Sequence, residues 1–161
     1  MTGYEEFKQI ALGCDHGAYE LKEKIKEYLF NKKIKVEDVV PAYINPTPYV
    51  NVARVVCKRV LGFPGTLGIL TCGTGAGMSI AANRITGIHA SLLYDDFTSL
   101  FSRRHTNANV LVFGGRTMNQ EDVFARIDIF LSNEFEGGKY KERNQIMDEP
   151  FFMESLDESF L

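Results

Sequence analysis

The chain has 161 residues, a formal net charge of −3, 45% hydrophobic and 24% charged residues. These values exclude an intrinsically disordered body and suit one domain that buries roughly 70% of its unfolded surface without metal or disulfide. With 18 Lys+Arg against 21 Asp+Glu, no broad basic face for nucleic acid is expected.

No apolar run approaches the ~18 residues of a membrane span. The opening MTGYEEFKQ is acidic where an export leader would be basic and then apolar. Three cysteines cannot all pair. Cys14 and Cys72 sit in strand-like surroundings and Cys57 in a helix-like stretch. The expectation is free thiols in a reducing, cytoplasmic compartment.

Along the chain, Ile10–Gly13 reads as a short buried strand that ends in Cys14-Asp15-His16-Gly17. The following AYELKEKIKEYLFN spaces Leu21, Ile25, Tyr28 and Leu29 as one helical face, with Glu20–Lys24 and Glu23–Lys26 as candidate pairs on the wet side. Ile34–Val40 predicts a second strand, and Pro41, Pro46 and Pro48 then predict a loop. Val52–Leu61 predicts a helix with Val52, Val55, Val56 and Val60 inward. Leu67–Cys72 is apolar almost throughout, as a strand covered on both faces should be.

Gly73–Gly77 predicts a loop, and Met78–Asn83 the start of a helix. Ile88–Leu93 and Asn109–Phe113 predict strands four and five, with a helix over Asp95–Arg104 between them. A further helix runs from Asn119 or Gln120 to about Leu131, and a short charged one over Lys139–Met147. Strand then helix, repeated with short connections, predicts a three-layer αβα, Rossmann-like sandwich around a five-stranded parallel sheet. The domain covers residues 1–149. Residues 150–161 (PFFMESLDESFL) form an acidic, aromatic tail that is either free or docked on a neighbour.

In such a sandwich, ligands bind outside the carboxyl ends of the strands. The residues there are Cys14–Gly17, Cys72–Gly77 and Gly114–Arg116. Gly73, Gly75 and Gly77 follow a buried strand at alternate positions, with Thr74 and Ala76 between them. That pattern predicts backbone N–H groups converging as an anion nest at a helix N-terminus.

A dinucleotide loop would want glycine where Met78 stands, and a phosphate loop would need a lysine that this stretch lacks. A phosphatase loop would want arginine at that same position 78. What remains is a cysteine beside an oxyanion nest, able to act as nucleophile or base. Proton abstraction alpha to a carbonyl suits the second role.

Asp15-His16 reads either as a helix cap with a surface histidine or as substrate-binding groups at the same edge as Cys72. Ser102–Asn109 holds His105, expected in a loop at that edge too, although its cations alone would suit a solvated helix end. His89 lies inside a predicted strand and reads as structural. Lys139 and Arg143 share one helix face, where spacing alone indicates solvated charge.

Together, Cys14-Asp15-His16, CGTG-x-GMSIAAN at Cys72–Asn83, SR-x-H-x-x-ANV at Ser102–Val110 and Gly114-Gly115-Arg116 resemble the ribose-5-phosphate isomerase B family. The resemblance runs in order over about residues 8–146. That family includes galactose- and allose-6-phosphate isomerases.

The resemblance implies a cofactor- and metal-free aldose–ketose isomerase of a small-molecule sugar phosphate, acting in the non-oxidative pentose phosphate pathway as a homodimer, sometimes paired into tetramers. Cys72 would be the base moving a proton between C1 and C2. Gly73, Thr74, Gly75, Ala76 and Gly77 would stabilise the cis-enediolate, His105 would help open the furanose ring, and Thr106 beside it would bind substrate. Asp15 and His16 would bind the sugar. Arg116, Lys139 and Arg143 would hold the phosphate, the last two from the partner subunit.

Ribose 5-phosphate is the expected substrate. A six-carbon sugar phosphate, or a binding module without catalysis, are the alternatives. The chain departs from the family's Asp-Tyr-Pro at Pro46-Thr47-Pro48, from its asparagine at Thr106 and from its Arg-His pair at Lys139-Tyr140.

Overall fold

A computed structural model describes residues 1–150. The acidic, aromatic segment expected over 150–161 therefore falls, but for Pro150, outside the described residues. Five strands, β1 (Gln9–Cys14), β2 (Lys35–Asp38), β3 (Thr66–Cys72), β4 (Ala90–Leu92) and β5 (Val110–Gly114), form one sheet. Every pairing is parallel and the order is β2-β1-β3-β5-β4.

β3 is buried at every position, Thr66 and Thr71 included, as a largely apolar strand at the sheet's centre should be. β2 lies at an edge and is never fully buried, and its Lys35 and Glu37 keep that edge from pairing further. Successive connections leave β1 in opposite directions, to β2 on one side and to β3 on the other. The gap between the carboxyl ends of β1 and β3 is therefore the topological switch point.

Seven helices complete the described fold: α1 (Gly3–Glu6), α2 (Tyr19–Asn31), α3 (Tyr49–Gly62), α4 (Ala76–Asn83), α5 (Asp96–Arg104), α6 (Gln120–Leu131) and α7 (Lys139–Asp148). One apolar layer joins Leu21, Ile25 and Leu29 of α2 to Val123, Ile127 and Phe130 of α6 across Ile10, Leu12 and Ile69. The other joins Val52, Val56 and Cys57 of α3 to Met78 and Ala82 of α4 across Leu70 and Val112. Asp95 caps α5 by accepting the Thr98 N–H at 2.6 Å, and Asn119 caps α6 by accepting the Asp122 N–H at 2.8 Å.

Several sequence expectations need correction. Val55 does not turn inward; it is 40% exposed, and Ala53 and Cys57 take the buried positions beside Val52 and Val56. Ile34–Val40 contains only the four-residue β2, because Asp38 Oδ1 accepts the Val40 N–H at 3.0 Å and turns the chain out of the ladder. Ile88–Leu93 shrinks to the three residues of β4, so His89 precedes that strand, where its Nε2 lies 3.2 Å from Asp148. On α2, Glu23 pairs with Lys26 at 3.6 Å, but no Glu20–Lys24 pair forms among the described residues. α1 and a one-turn 3-10 helix at His16–Ala18 were too short to show a periodicity.

Candidate active site

At the switch point three loops converge. The Asp15 carboxylate accepts the Gly17 N–H at 2.9 Å, which turns the chain out of β1 into the 3-10 turn. The Gly115 N–H donates to the Cys72 carbonyl and the Arg116 N–H to the Gly73 carbonyl, both at 2.9 Å, so the loop after β5 is laced to the loop after β3. A methyl group placed on Gly17 would lie 3.3 Å from Asp15 Oδ1, 3.4 Å from an Arg116 guanidinium nitrogen and 3.5 Å from the Gly73 nitrogen. Carboxylate, guanidinium and the first nest amide thus face one point. A cleft of about 470 Å³ opens there, bordered by His16, Gly17, Tyr19, Tyr43, Gly115 and Arg116.

Cys72 ends β3 at the mouth of the glycine loop and is 6% exposed. Gly75 stands at the N-cap of α4 with φ +83°, a left-handed conformation that a side chain would strain. It carries no capping side chain, and Thr74 Oγ1 accepts the Ala76 N–H at 3.3 Å. The ring of Tyr49 covers Gly77, 3.1 Å from where a methyl group would stand.

His16 is held by the loop in which the family's Asp-Tyr-Pro is replaced. The Thr47 N–H donates to His16 Nδ1 at 3.3 Å. In the neutral ring the proton then sits on Nε2, leaving a donor for a ligand. The sequence marks Thr47 only as part of the Pro46-Thr47-Pro48 departure and not as the partner of His16, because a backbone donor leaves no mark in residue type.

The other two cysteines are chemically different. Both are fully buried, and burial pushes the Cys14 thiol up to about 12 and the Cys57 thiol up to about 11.

His105, Thr106, Lys139 and Arg143 do not join this cluster. His105 is the C-cap of α5, whose direction opposes the strands, and Asn109 accepts the Gly68 N–H at 2.9 Å where β3 and β5 begin. Gly68 pairs with Val110 and Cys72 with Gly114. The two ends of the sheet are therefore separated by about 13 Å of strand, at roughly 3.3 Å per residue. The expectation that His105 shares an edge with Cys72 is corrected: it lies at the amino ends of the strands.

A second polar cluster gathers at that edge. Tyr140 stacks on the His105 ring at 3.8 Å and 12°, and Glu136 Oε2 lies 3.5 Å from its Nε2. Asn144 donates to the Thr106 carbonyl at 2.9 Å and ties α7 to the same corner. Lys139 and Arg143 flank the Tyr140 ring at 5.2 and 5.8 Å. Gly137 and Gly138, both at positive φ (64° and 53°), turn the chain into α7. Larger hollows of about 510 Å³, beneath the end of α7, and 670 Å³, between α2 and β2, hold none of the converging groups around Cys72.

The sequence profile of a family described as Ribose/Galactose Isomerase matches residues 10–147. The chain belongs to that family. It is accordingly an isomerase.

The chain is 38% identical over 136 residues to the ribose-5-phosphate isomerase B of Escherichia coli, covering 84% of this chain and 91% of that protein. Its fold is similar to a ribose 5-phosphate isomerase from Thermotoga maritima, with a TM-score of 0.84, 44% identity and coverage of 87% and 97%. The structure of ribose-5-phosphate isomerase B from Mycoplasma genitalium with bound ribulose-5-phosphate matches at a TM-score of 0.82 and 34% identity, covering 87% and 93%.

Proposed function

We propose that this isomerase interconverts ribose 5-phosphate and ribulose 5-phosphate through a cis-enediolate, with Cys72 as the base. The observation that carries this reading is the convergence of Asp15, Gly17, Gly73 and Arg116 on one point beside Cys72. Cys72 takes the proton from C2 of the open-chain aldose and returns it to C1. Negative charge then develops on O1 and O2, where the amides of Gly73, Gly75, Ala76 and Gly77 and the Thr74 hydroxyl can stabilise it. Asp15 and His16 hold the sugar hydroxyls, and Arg116 takes the phosphate. The reaction belongs to the non-oxidative pentose phosphate pathway, and the cytoplasm is the compartment that suits three free thiols.

Ring opening needs a second proton-transfer group, and His105 is that group in our reading. Some 13 Å of sheet separates the two edges, so one chain cannot bring His105 and Cys72 to the same small sugar. A homodimer with shared sites resolves this: the partner supplies His105, Thr106, Lys139 and Arg143 to the site around Cys72. Exposed apolar side chains on α3 and α4, among them Val55, Leu61 and Ile80, suit burial between two copies.

The test is turnover of ribose 5-phosphate against allose and galactose 6-phosphates, with and without EDTA, in the unaltered enzyme and in Cys72→Ala. The five-carbon substrate is expected to be preferred, EDTA to leave the rate unchanged, and Cys72→Ala to lose about 10²–10⁴-fold. Cys72→Ala activity within threefold of the unaltered enzyme would remove Cys72 as base.

A further inference from the structure

The surroundings of His105 hold more than ring opening by itself asks for. Its imidazole is packed on one face by Tyr140 (3.8 Å between ring centres) and at a tilt by Phe101 (4.6 Å), leaving the side chain 30% exposed. Glu136 is anchored twice to the residue before it. Its N–H donates to the Arg104 carbonyl at 3.0 Å, and its Oε1 meets the Arg104 guanidinium at 2.5 Å. With Oε1 so occupied, Oε2 is left facing His105 Nε2 at 3.5 Å. Contacts of this length between catalytic groups commonly tighten when substrate binds.

We propose that Glu136 is the positioning residue for His105: its carboxylate accepts a hydrogen bond from Nε2–H, which keeps the proton on that nitrogen and leaves Nδ1 as the atom that exchanges protons with the sugar ring. The hydrogen bond at one imidazole nitrogen decides the protonation of the other. Tyr140 and Phe101 keep the ring plane from turning, so Glu136 has only the tautomer to set. Ring opening breaks the C1–O4 bond as C1=O1 forms. Nδ1, bare in that tautomer, accepts the proton leaving O1 through water and delivers it to O4, so the step is neutral overall. The inference rests on the reading of His105 as the ring-opening group.

Glu136→Gln is the informative variant, because it keeps the side chain's size. The Arg104 guanidinium will hold the amide oxygen, which turns the amide NH2 toward His105 and offers a donor where an acceptor is needed. Two assays separate the steps. Ribose 5-phosphate turnover requires ring opening. Deuterium wash-in from solvent at C1 of ribulose 5-phosphate, which has no ring form to open, reports carbon proton transfer alone.

Glu136→Gln is expected to lower kcat for ribose 5-phosphate by at least about tenfold, with KM and wash-in each within threefold and Tm unchanged. A kcat within twofold, or equal losses in both assays, would overturn the proposal. His105→Ala is the control that tells the two ideas apart. If it too loses both activities equally, the ring-opening reading fails. If it loses only ribose 5-phosphate turnover while Glu136→Gln is neutral, Glu136 alone is wrong.

Discussion

At the scale of single residues, three thiols of one chain are separated by their surroundings. Cys14 and Cys57 lie in the apolar layer between α3 and the sheet, where burial disfavours the thiolate and outweighs the nearby Lys22 charge that favours it at Cys14. Cys72 lies where the strand gives way to the glycine loop. At pH 8 thiols whose pKa is about 12 and about 11 are ionised to about one part in 10⁴ and 10³.

Brief alkylation at that pH should therefore leave Cys14 and Cys57 unmodified in the folded enzyme, read by peptide mass. Any inactivation should track label at Cys72. Early label at Cys14 would contradict the assignment of an inert, buried thiol.

The same burial makes a stability prediction. Folding raises the pKa of these thiols and of Tyr4, which burial and Asp128 push up to about 12. Their neutral forms are favoured in the folded state, so stability is fully present below the unfolded values and lost as pH climbs through about 9 toward 12. Urea midpoints measured across that range should fall steadily.

At the scale of elements, α5 is fixed less by apolar burial than by one charged side chain. Arg103 is fully buried, donates to the Asn107 side chain at 2.6 Å and to the Asn133 carbonyl at 3.2 Å, and pairs with Glu6 at the end of α1. Its guanidinium also lies 5.5 Å over Phe7 and 5.8 Å over Phe130. Arg103 thus ties α1, α5 and the end of α6 together beside His105.

Arg103→Ala leaves a cavity among these groups and removes the partner of Asn107, which stands at φ +46°. It should cost about 3–5 kcal/mol by denaturant unfolding. A loss under 1 kcal/mol would mean that the helices hold this corner without it. The sequence motif containing Ser102–Asn109 was thus read for its histidine, while half of its content is structural. An arginine that braces a corner and one that binds phosphate are the same letter.

At the scale of the whole molecule, the decisive feature is that the two candidate clusters lie at opposite edges of one sheet. If each working site joins the Cys72 edge of one copy to the His105 edge of another, defects at the two edges complement. Refolding Cys72→Ala with an equal amount of His105→Ala makes about half the dimers mixed, by random pairing. Each mixed dimer then has one site with both defects and one with neither. About a quarter of the unaltered activity should return on ribose 5-phosphate, against each mutant refolded alone. No return, with mixed dimers confirmed by native mass spectrometry, would put both groups in one subunit's site or His105 outside any site.

Much of this was open to reading along the chain. The apolar run before Cys72 announces a strand buried on both faces, and glycines at 73, 75 and 77 announce a backbone loop made for an anion, because both patterns are local. The five-stranded parallel sandwich follows from alternation alone. The side of the sheet on which His105 lies also had a signal: a residue between a crossover helix and the next strand stands at the strands' amino edge. Its motif neighbours drew it to the wrong edge instead.

Other features belong to the tertiary structure alone. The order β2-β1-β3-β5-β4, which puts Asp15 beside Gly73, depends on which strands find each other, β1 and β3 across 57 residues of chain. Arg116 reaching over Gly17, Thr47 holding His16 and Glu136 facing His105 are contacts between segments far apart in sequence or made through backbone atoms. Residue type and spacing encode periodicity and chemistry. The packing of helices against a twisted sheet decides which of those chemistries meet.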